Sequence, residues 1–336
     1  MLGALLVFDS PIISSQSPDP FAFLAPTVYL SQSDRQRIER GDTIVNTLPP
    51  RGRDVAMVAV TLTTMTPERL VAWAGDIERL KAVPTVHRVR RLSAQPALEE
   101  FAALSLPDDD IRDLRNCRPG KCEVKLTAAE MTELRREMQL AGPQWMARAN
   151  AVFREIAHDR VVSYLAGGHA ALDSYVDGHG EPSRAASFTS VLANSPFLQR
   201  VPQLAALLVR PAPPPDGVES FTYWSVEDFG VKAVAGATET IITTSSDPTS
   251  PAVMVAGKQI FATHYSSASL NLTSLVRRNG PGAPYYLVVV NRSTIDTVEG
   301  FFGGFVRRTI EGRVRRETGA MITSLRKRIE AGPPRE

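Results

Sequence analysis

Hydrophobic positions near the end of the chain follow two periods in succession. Tyr285-Tyr286-Leu287-Val288-Val289-Val290 is a run of aromatic and β-branched residues after the turn-forming Asn279-Gly280-Pro281-Gly282, and it reads as a strand. Beyond it, apolar residues fall at Phe302, Val306, Ile310 and Val314, then at Met321, Leu325 and Ile329, which is a helical period. A helix of that length must bury one stripe. Its nearest partners are the strands before it, so the pattern predicts a helix packed across a curved antiparallel sheet. Phe301-Phe302-Gly303-Gly304-Phe305 opens the helix, either as a start with large core anchors or as a gate over a cavity mouth.

Upstream, strands are predicted over 221–224, 231–244, 252–263, 268–276 and 285–291, separated by turn signals such as Ser246-Asp247-Pro248. Consecutive strands without intervening helices imply an antiparallel meander. Alternation is clearest where Ala268, Leu270, Leu272 and Val276 oppose Ser269, Asn271 and Thr273, giving one dry face and one polar face. Earlier strands are expected at 42–48 and 55–62. A helix follows with Thr66 as N-cap, Pro67 at its first position and Leu70, Trp73, Ala74, Ile77 and Leu80 on its buried face. From Pro96 to about Arg210 the pattern is almost wholly helical, including a capping box of Thr127 with Glu130 and a helix from Pro143 that stops at Gly167-Gly168. Pro211-Ala212-Pro213-Pro214-Pro215-Asp216-Gly217 then reads as a linker.

Composition narrows the function classes. With 336 residues, 43% apolar and 22% charged, the chain has ample material for a core, and its formal net charge of +2 gives no argument for nucleic acid. The basic residues cluster late: eight Lys and Arg stand in 301–330, a solvated helix face or a contact for an anionic membrane surface. The opening Met1-Leu2-Gly3-Ala4-Leu5-Leu6-Val7-Phe8 has the apolar character of an export signal without its basic flank, so residues 1–30 are expected to be a disordered leader or the remnant of a signal. Cys117 and Cys122 enclose a Pro-Gly turn that can bring their sulfurs together. A disulfide would fit a periplasmic or secreted protein, and two thiols a cytoplasmic one.

The run from Met57 to Leu80 resembles the opening of START-like proteins, the polyketide cyclase and lipid-transfer superfamily. It has a β-branched strand, then Thr66-Pro67-Glu68-Arg69-Leu70-Val71-Ala72-Trp73, then Asp76 before Leu80 and Val83-Pro84. The terminal helix at 300–330 is similar to the helix that closes that fold. The resemblance covers roughly half of the chain, and the whole chain also resembles bacterial proteins of this architecture, a likeness that carries no activity. It implies an α+β fold in which a helix-grip antiparallel sheet surrounds a long C-terminal helix. The START-like domain would comprise 31–93 and 217–330, with a large helical insertion at 94–216 and a tail at 331–336. It further implies an apolar cavity lined by Phe302, Phe305, Val306 and Ile310 from the helix and by Tyr223, Phe261 and Leu272 from the sheet. The ligand would be an apolar small molecule such as a lipid, isoprenoid or polyketide, with no cofactor.

Candidate chemistry is sparse. The chain has no G-x-S-x-G elbow, P-loop, G-x-G-x-x-G after a strand or H-E-x-x-H. His169, Asp173, Asp177 and His179 have metal-ligand spacing if one helix carries them, and otherwise form a solvated helix end with a loop. Lys258, Ile260, Ala262 and His264 would share a strand face, leaving His264 as a general base and Lys258 or Arg292 to polarise a carbonyl in a cyclase or hydrolase of the same superfamily. The plain alternative sets Lys258 and Gln259 in solvent and His264 in a satisfied turn. A third class of function is an interaction module using the helical insertion as its docking surface.

Overall fold

The computed structural model describes residues 19–49, 51–178, 180–210, 218–228, 232–278, 284–296 and 303–332, with the backbone alone, apart from Gly312 and Arg315, over 303–317. Among the described residues eight strands form one antiparallel sheet: β1 (Ile44–Thr47), β2 (Asp54–Thr63), β3 (Val86–Arg91), β4 (Glu219–Asp228), β5 (Ala233–Thr244), β6 (Val253–Ala262), β7 (Ser266–Arg277) and β8 (Tyr285–Ile295). Their order is β1-β2-β8-β7-β6-β5-β4-β3. Strands β4 to β8 are the expected meander. The early strand β2 pairs with the last one, from Asp54 opposite Thr294 to Thr63 opposite Tyr285. Nearly every residue of β2 is buried, which suits a strand flanked on both edges and covered on both faces.

The helices lie on both sides of the sheet. Before β2 comes α1 (Gln32–Glu39), closed by a capping box between Ser31 and Asp34. After it come α2 (Pro67–Gly75), with Thr66 accepting from the Arg69 amide and Pro67 in the first turn, and the short α3 (Ile77–Leu80). Between β3 and β4 stand α4 (Asp108–Leu114), α5 (Ala128–Leu140), α6 (Trp145–Gly167), α7 (Arg184–Ala193) and α8 (Pro202–Leu208), and α9 (Gly303–Glu330) follows β8. Thr127 and Glu130 cap α5 reciprocally. One core joins α4 to α8 to the sheet through Ala56, Val58, Trp224, Leu270, Leu272 and Val288. A second core on the opposite face joins α2 and α9 to the sheet through Ala59, Phe221, Tyr223, Leu275, Leu287 and Val289. Cys117 and Cys122 form a disulfide across the turn at Gly120, whose φ of +79° favours glycine. That bond suits an oxidising compartment. Among the described residues no helix is long and apolar enough to cross a membrane.

Several expectations need correction. The buried stripe on the second half of α9 runs through Thr318, Ile322 and Ile329, with Leu325 half-buried, and Met321 is 56% exposed. Residues 321 and 322 are about 100° apart on a helix, and α9 turns the 322 side to the sheet. Residues 19–30, expected in a leader, are folded: Phe21, Phe23, Leu24, Val28 and Leu30 join the first core. Residues 1–18 of the leader and 333–336 of the tail lie outside the described residues. Near the end of the stretch expected to be almost wholly helical, the chain forms a 3-10 turn, Pro196–Arg200, before α8, because Pro202 begins a new helix.

Candidate functional site

The two faces of β7 decide where a ligand could sit. Ala268, Leu270, Leu272 and Val276 point to the insertion and are sealed there, whereas Leu275 belongs to the opposite core and shares its side with Thr273, Asn271 and Ser269. Leu272 and Phe261 therefore face the insertion, while Tyr223 faces the side of α9. The three cannot line one cavity under the helix. Phe302, and the side chains of Phe305, Val306 and Ile310, lie outside the described residues.

On the α9 side the sheet carries a transverse polar row. Tyr223 stands opposite Thr238, and Thr238 opposite Gln259. On the next strands Gly257 is opposite Asn271, and Asn271 opposite Asn291. The Ser269 and Ser293 hydroxyls share a 2.8 Å hydrogen bond, and Ser266 Oγ donates to Gln259 Oε1 at 2.7 Å. Asn271 is exposed although it lies on a central strand, and Gln259, Asn291 and Ser293 are half-buried. Toward the other end of the same face the floor becomes apolar at Val253, Leu275, Leu287 and Val289. The helix covers only part of this floor with described contacts. Arg315 Nη2 donates to Thr47 Oγ1 at 3.1 Å, Thr318 Oγ1 reaches Met57 Sδ at 3.3 Å, and Glu330 accepts from Thr63 Oγ1 at 2.8 Å, so α9 follows β1 and β2.

A charged group borders the row at Tyr223. Lys81, just after α3, places Nζ 2.7 Å from Glu227 Oε1 and 5.5 Å from the Tyr223 ring centroid, and Ser225 Oγ donates to Glu227 at 2.5 Å. Burial works against the Lys81 charge, but Tyr223 and Glu227 outweigh it and raise its pKa. Burial raises the Tyr223 phenol, opposed by the Lys81 charge. Sequence reasoning missed Lys81 and Glu227, which are 146 positions apart and follow no local motif.

The residues proposed for acid-base work do not converge. A register shift places Ala237 opposite Phe261 but Thr238 opposite Gln259, so Ile260 is the extra residue of a bulge. Ile260 and Phe261 both join the insertion-side core, and the expected face shared by Lys258, Ile260, Ala262 and His264 is broken there. His264 holds Asp110 Oδ2 at 2.8 Å through Nε2 and the Glu123 carbonyl at 3.1 Å through Nδ1, leaving neither nitrogen for a substrate. Lys258 Nζ donates to Leu208 O at 2.7 Å and sits 4.9 Å from the ring centres of both Tyr164 and Phe188. Burial, against the nearby Glu239 carboxylate, lowers Lys258 to about 7. Arg292 bonds Asp54 Oδ2 at 3.3 Å, and burial lowers its pKa. His264 and Lys258 thus tie the sheet to the insertion, and Arg292 ties β8 to β2.

The proposed metal ligands are also apart. Helix α6 ends at Gly167, Gly168 has a φ of +61°, and the chain leaves the helical path after Ala171, so His169 and Asp173 share no helical face. His169 Nε2 lies 3.1 Å from Thr189 Oγ1, and burial, then the Lys258 charge, lowers its pKa. Asp173 pairs with Arg160 and Arg184, Asp177 bridges to Gly180, and His179 lies outside the described residues. A carboxylate cluster of metal-binding geometry does occur among the described residues, at Asp110, Asp113 and Glu123. Its charge is met by Lys232, 3.0 Å from Asp110 and also paired with Asp113 and Glu123. A separate open cleft of about 280 Å³ lies beside Phe21 and Tyr286, where Arg35 pairs with Asp19 and Arg278 with Glu39. Its charges answer one another, so it offers less to a ligand than the transverse row. Among known proteins, no family model, curated protein or solved structure matches this chain.

Proposed function

We propose that the protein binds an amphiphilic small molecule on the sheet face beside α9. The polar end of the ligand meets Tyr223, Thr238, Gln259, Asn271 and Asn291, and its apolar part extends toward Phe221, Leu287 and Val289. The observation that carries this reading is a polar, partly exposed floor on central strands whose other face is covered by helices. Apolar pockets with a few placed polar groups orient small ligands in this way. The strand order supports the START-like, helix-grip interpretation: the first long strand lies beside the last, and the chain then closes in a helix across them. The Ser, Asn and Gln content of the floor favours a ligand with hydroxyl or carbonyl groups over a pure hydrocarbon. Export to the periplasm or beyond accords with the disulfide. A membrane role for the terminal helix has less support, since Arg326 and Arg328 donate to carbonyls of Leu62 and Ala82 within the chain.

Gly257 provides the test. A Cβ there would meet Thr238 Cγ2 at 3.5 Å and Asn271 Cβ at 3.8 Å, ordinary contacts, so a larger side chain fits the backbone but fills the floor. Protein purified gently from its host should carry a discrete small molecule in native mass spectrometry, and Gly257→Leu should fold and lose it. A clean apo mass that does not change on incubation with an amphiphile extract would overturn the reading.

A further inference from the structure

Behind the sheet, on the side away from the proposed ligand, two arginines lie in an unusual position. Arg160 of α6 is 8% exposed, and Arg184, the first residue of α7, is 1% exposed. Both turn to Asp173: Arg160 Nε is 2.8 Å from one oxygen, and Arg184 Nη1 is 3.4 Å from the other. Arg160 Nη2 also reaches Glu130 Oε2 at 2.7 Å and Lys125 O at 3.3 Å. Among the described residues, Arg160 Nε and Nη1 and Arg184 Nε and Nη2 are buried without a hydrogen-bonded acceptor, and Asp173 Oδ2, though close to Arg160 Nε, is buried without a hydrogen-bonded donor. A guanidinium presents five N–H donors in a fixed plane and cannot shed its proton to escape burial. The surroundings add more cation and aromatic surface. Arg184 lies 4.7 Å and Lys125 Nζ 4.9 Å from the Tyr175 ring centroid, and Arg160 lies 5.5 Å from that of Phe261. Burial, then the neighbouring Arg160 charge, brings Arg184 down to about 10, and burial brings Lys125 down to about 8.

We infer that Arg160 and Arg184 form a buried site for a small monatomic anion, of which chloride is the physiological example. Four guanidinium nitrogens stand without an acceptor against one carboxylate oxygen without a donor, so the fitting occupant accepts from several groups at once. A water molecule is the competing occupant: it could donate to Asp173 Oδ2, but its two lone pairs would leave some of the guanidinium N–H groups unmet, whereas a monatomic anion accepts from all sides. An anion here would join α6 to the start of α7 and so hold the insertion on the sheet. The site is independent of the ligand floor on the other face.

The test uses the full-length wild-type protein. Crystals grown or soaked in sodium bromide should give an anomalous bromine peak within hydrogen-bond reach of Arg160 Nη1 and the Arg184 guanidinium. In solution, the Tm should rise by a few degrees, saturably, when chloride replaces gluconate at constant ionic strength, since a ligand bound only by the native state stabilises it. Arg184→Met, or Arg160→Gln if the first variant does not fold, should abolish the anion-specific part of that rise. Density at the site without anomalous signal would assign a water and overturn the inference. A Tm in the wild type that follows ionic strength alone would do the same.

Discussion

Replacing Lys258 by Met tests the account of the sheet–insertion interface most directly. Lys258 is 1% exposed, and burial brings its pKa from the ordinary 10.5 to about 7. A displacement of that size corresponds to a penalty on the charged form of about 5 kcal/mol. With a native pKa near 7 the wild type bears most of that penalty at pH 7, so Lys258→Met should be the more stable protein there, by up to about 4 kcal/mol. Its cross-strand neighbour Glu239 keeps three donors without it, from Tyr164, Ser220 and Arg210. The pH dependence is the sharper readout. Between pH 7 and 10.5 the unfolded chain holds a proton on Lys258 that the native protein has released, so wild-type stability rises with pH. The slope from this group is at most about 1.4 kcal/mol per pH unit, and the contribution is lost as pH falls toward 7. Urea denaturation of both proteins at pH 7, 8 and 9 should therefore show the wild type gaining on the variant by up to about 3 kcal/mol. Parallel curves would refute the argument, as would a variant that is several kcal/mol less stable at pH 7.

Two further substitutions probe other parts of the reading. Asp110→Asn removes the carboxylate that His264 and Lys232 share and should cost about 3–5 kcal/mol by denaturant unfolding. Burial raises Asp110, but those two partners outweigh it and lower its pKa, so its contribution in the wild type is present above its ordinary value near 3.8 and fades as pH falls through the lowered one. Ile322→Ala should cost about 2–4 kcal/mol by opening the core beneath α9, while Met321→Ala should change stability by less than about 0.5 kcal/mol. Equal effects at these neighbours would refute the assigned helix orientation.

Local signals foretold much of this fold. Thr127 with Glu130, Thr66 with Pro67, and Cys117-Arg118-Pro119-Gly120-Lys121-Cys122 each act within a few residues, and each forms the structure its chemistry requires. Alternation in β7 also separated its two sides correctly, with Leu270 and Leu272 opposed to Asn271 and Thr273. Alternation does not say which layer covers which side, and the dry side went to the insertion. Strand β3 went unrecognised because Val86-His87-Arg88-Val89-Arg90-Arg91 is charged on both faces, as an edge strand can be. The bulge at Ile260 put Phe261 on the same side as Ile260 against strict alternation, and such an extra residue leaves no composition signal. Lys81 and Glu227 meet only because the sheet brings the end of α3 to β4.

The pairing of β2 with β8 has a consequence for how the chain is made. Asp54 meets its partner Thr294 across about 240 residues of sequence. At roughly 5–20 residues per second on a ribosome, that partner follows after some tens of seconds. During that interval β2 has only the four-residue β1 beside it, and its run Val55-Ala56-Met57-Val58-Ala59-Val60 is apolar toward both sides. Helices α5 and α6, by contrast, can pack on each other within one stretch of chain before the later strands arrive. The polypeptide therefore emerges with its middle ready to condense and its most adhesive strand still waiting, and a chaperone that shields residues 54–63 would protect it longest where protection matters most.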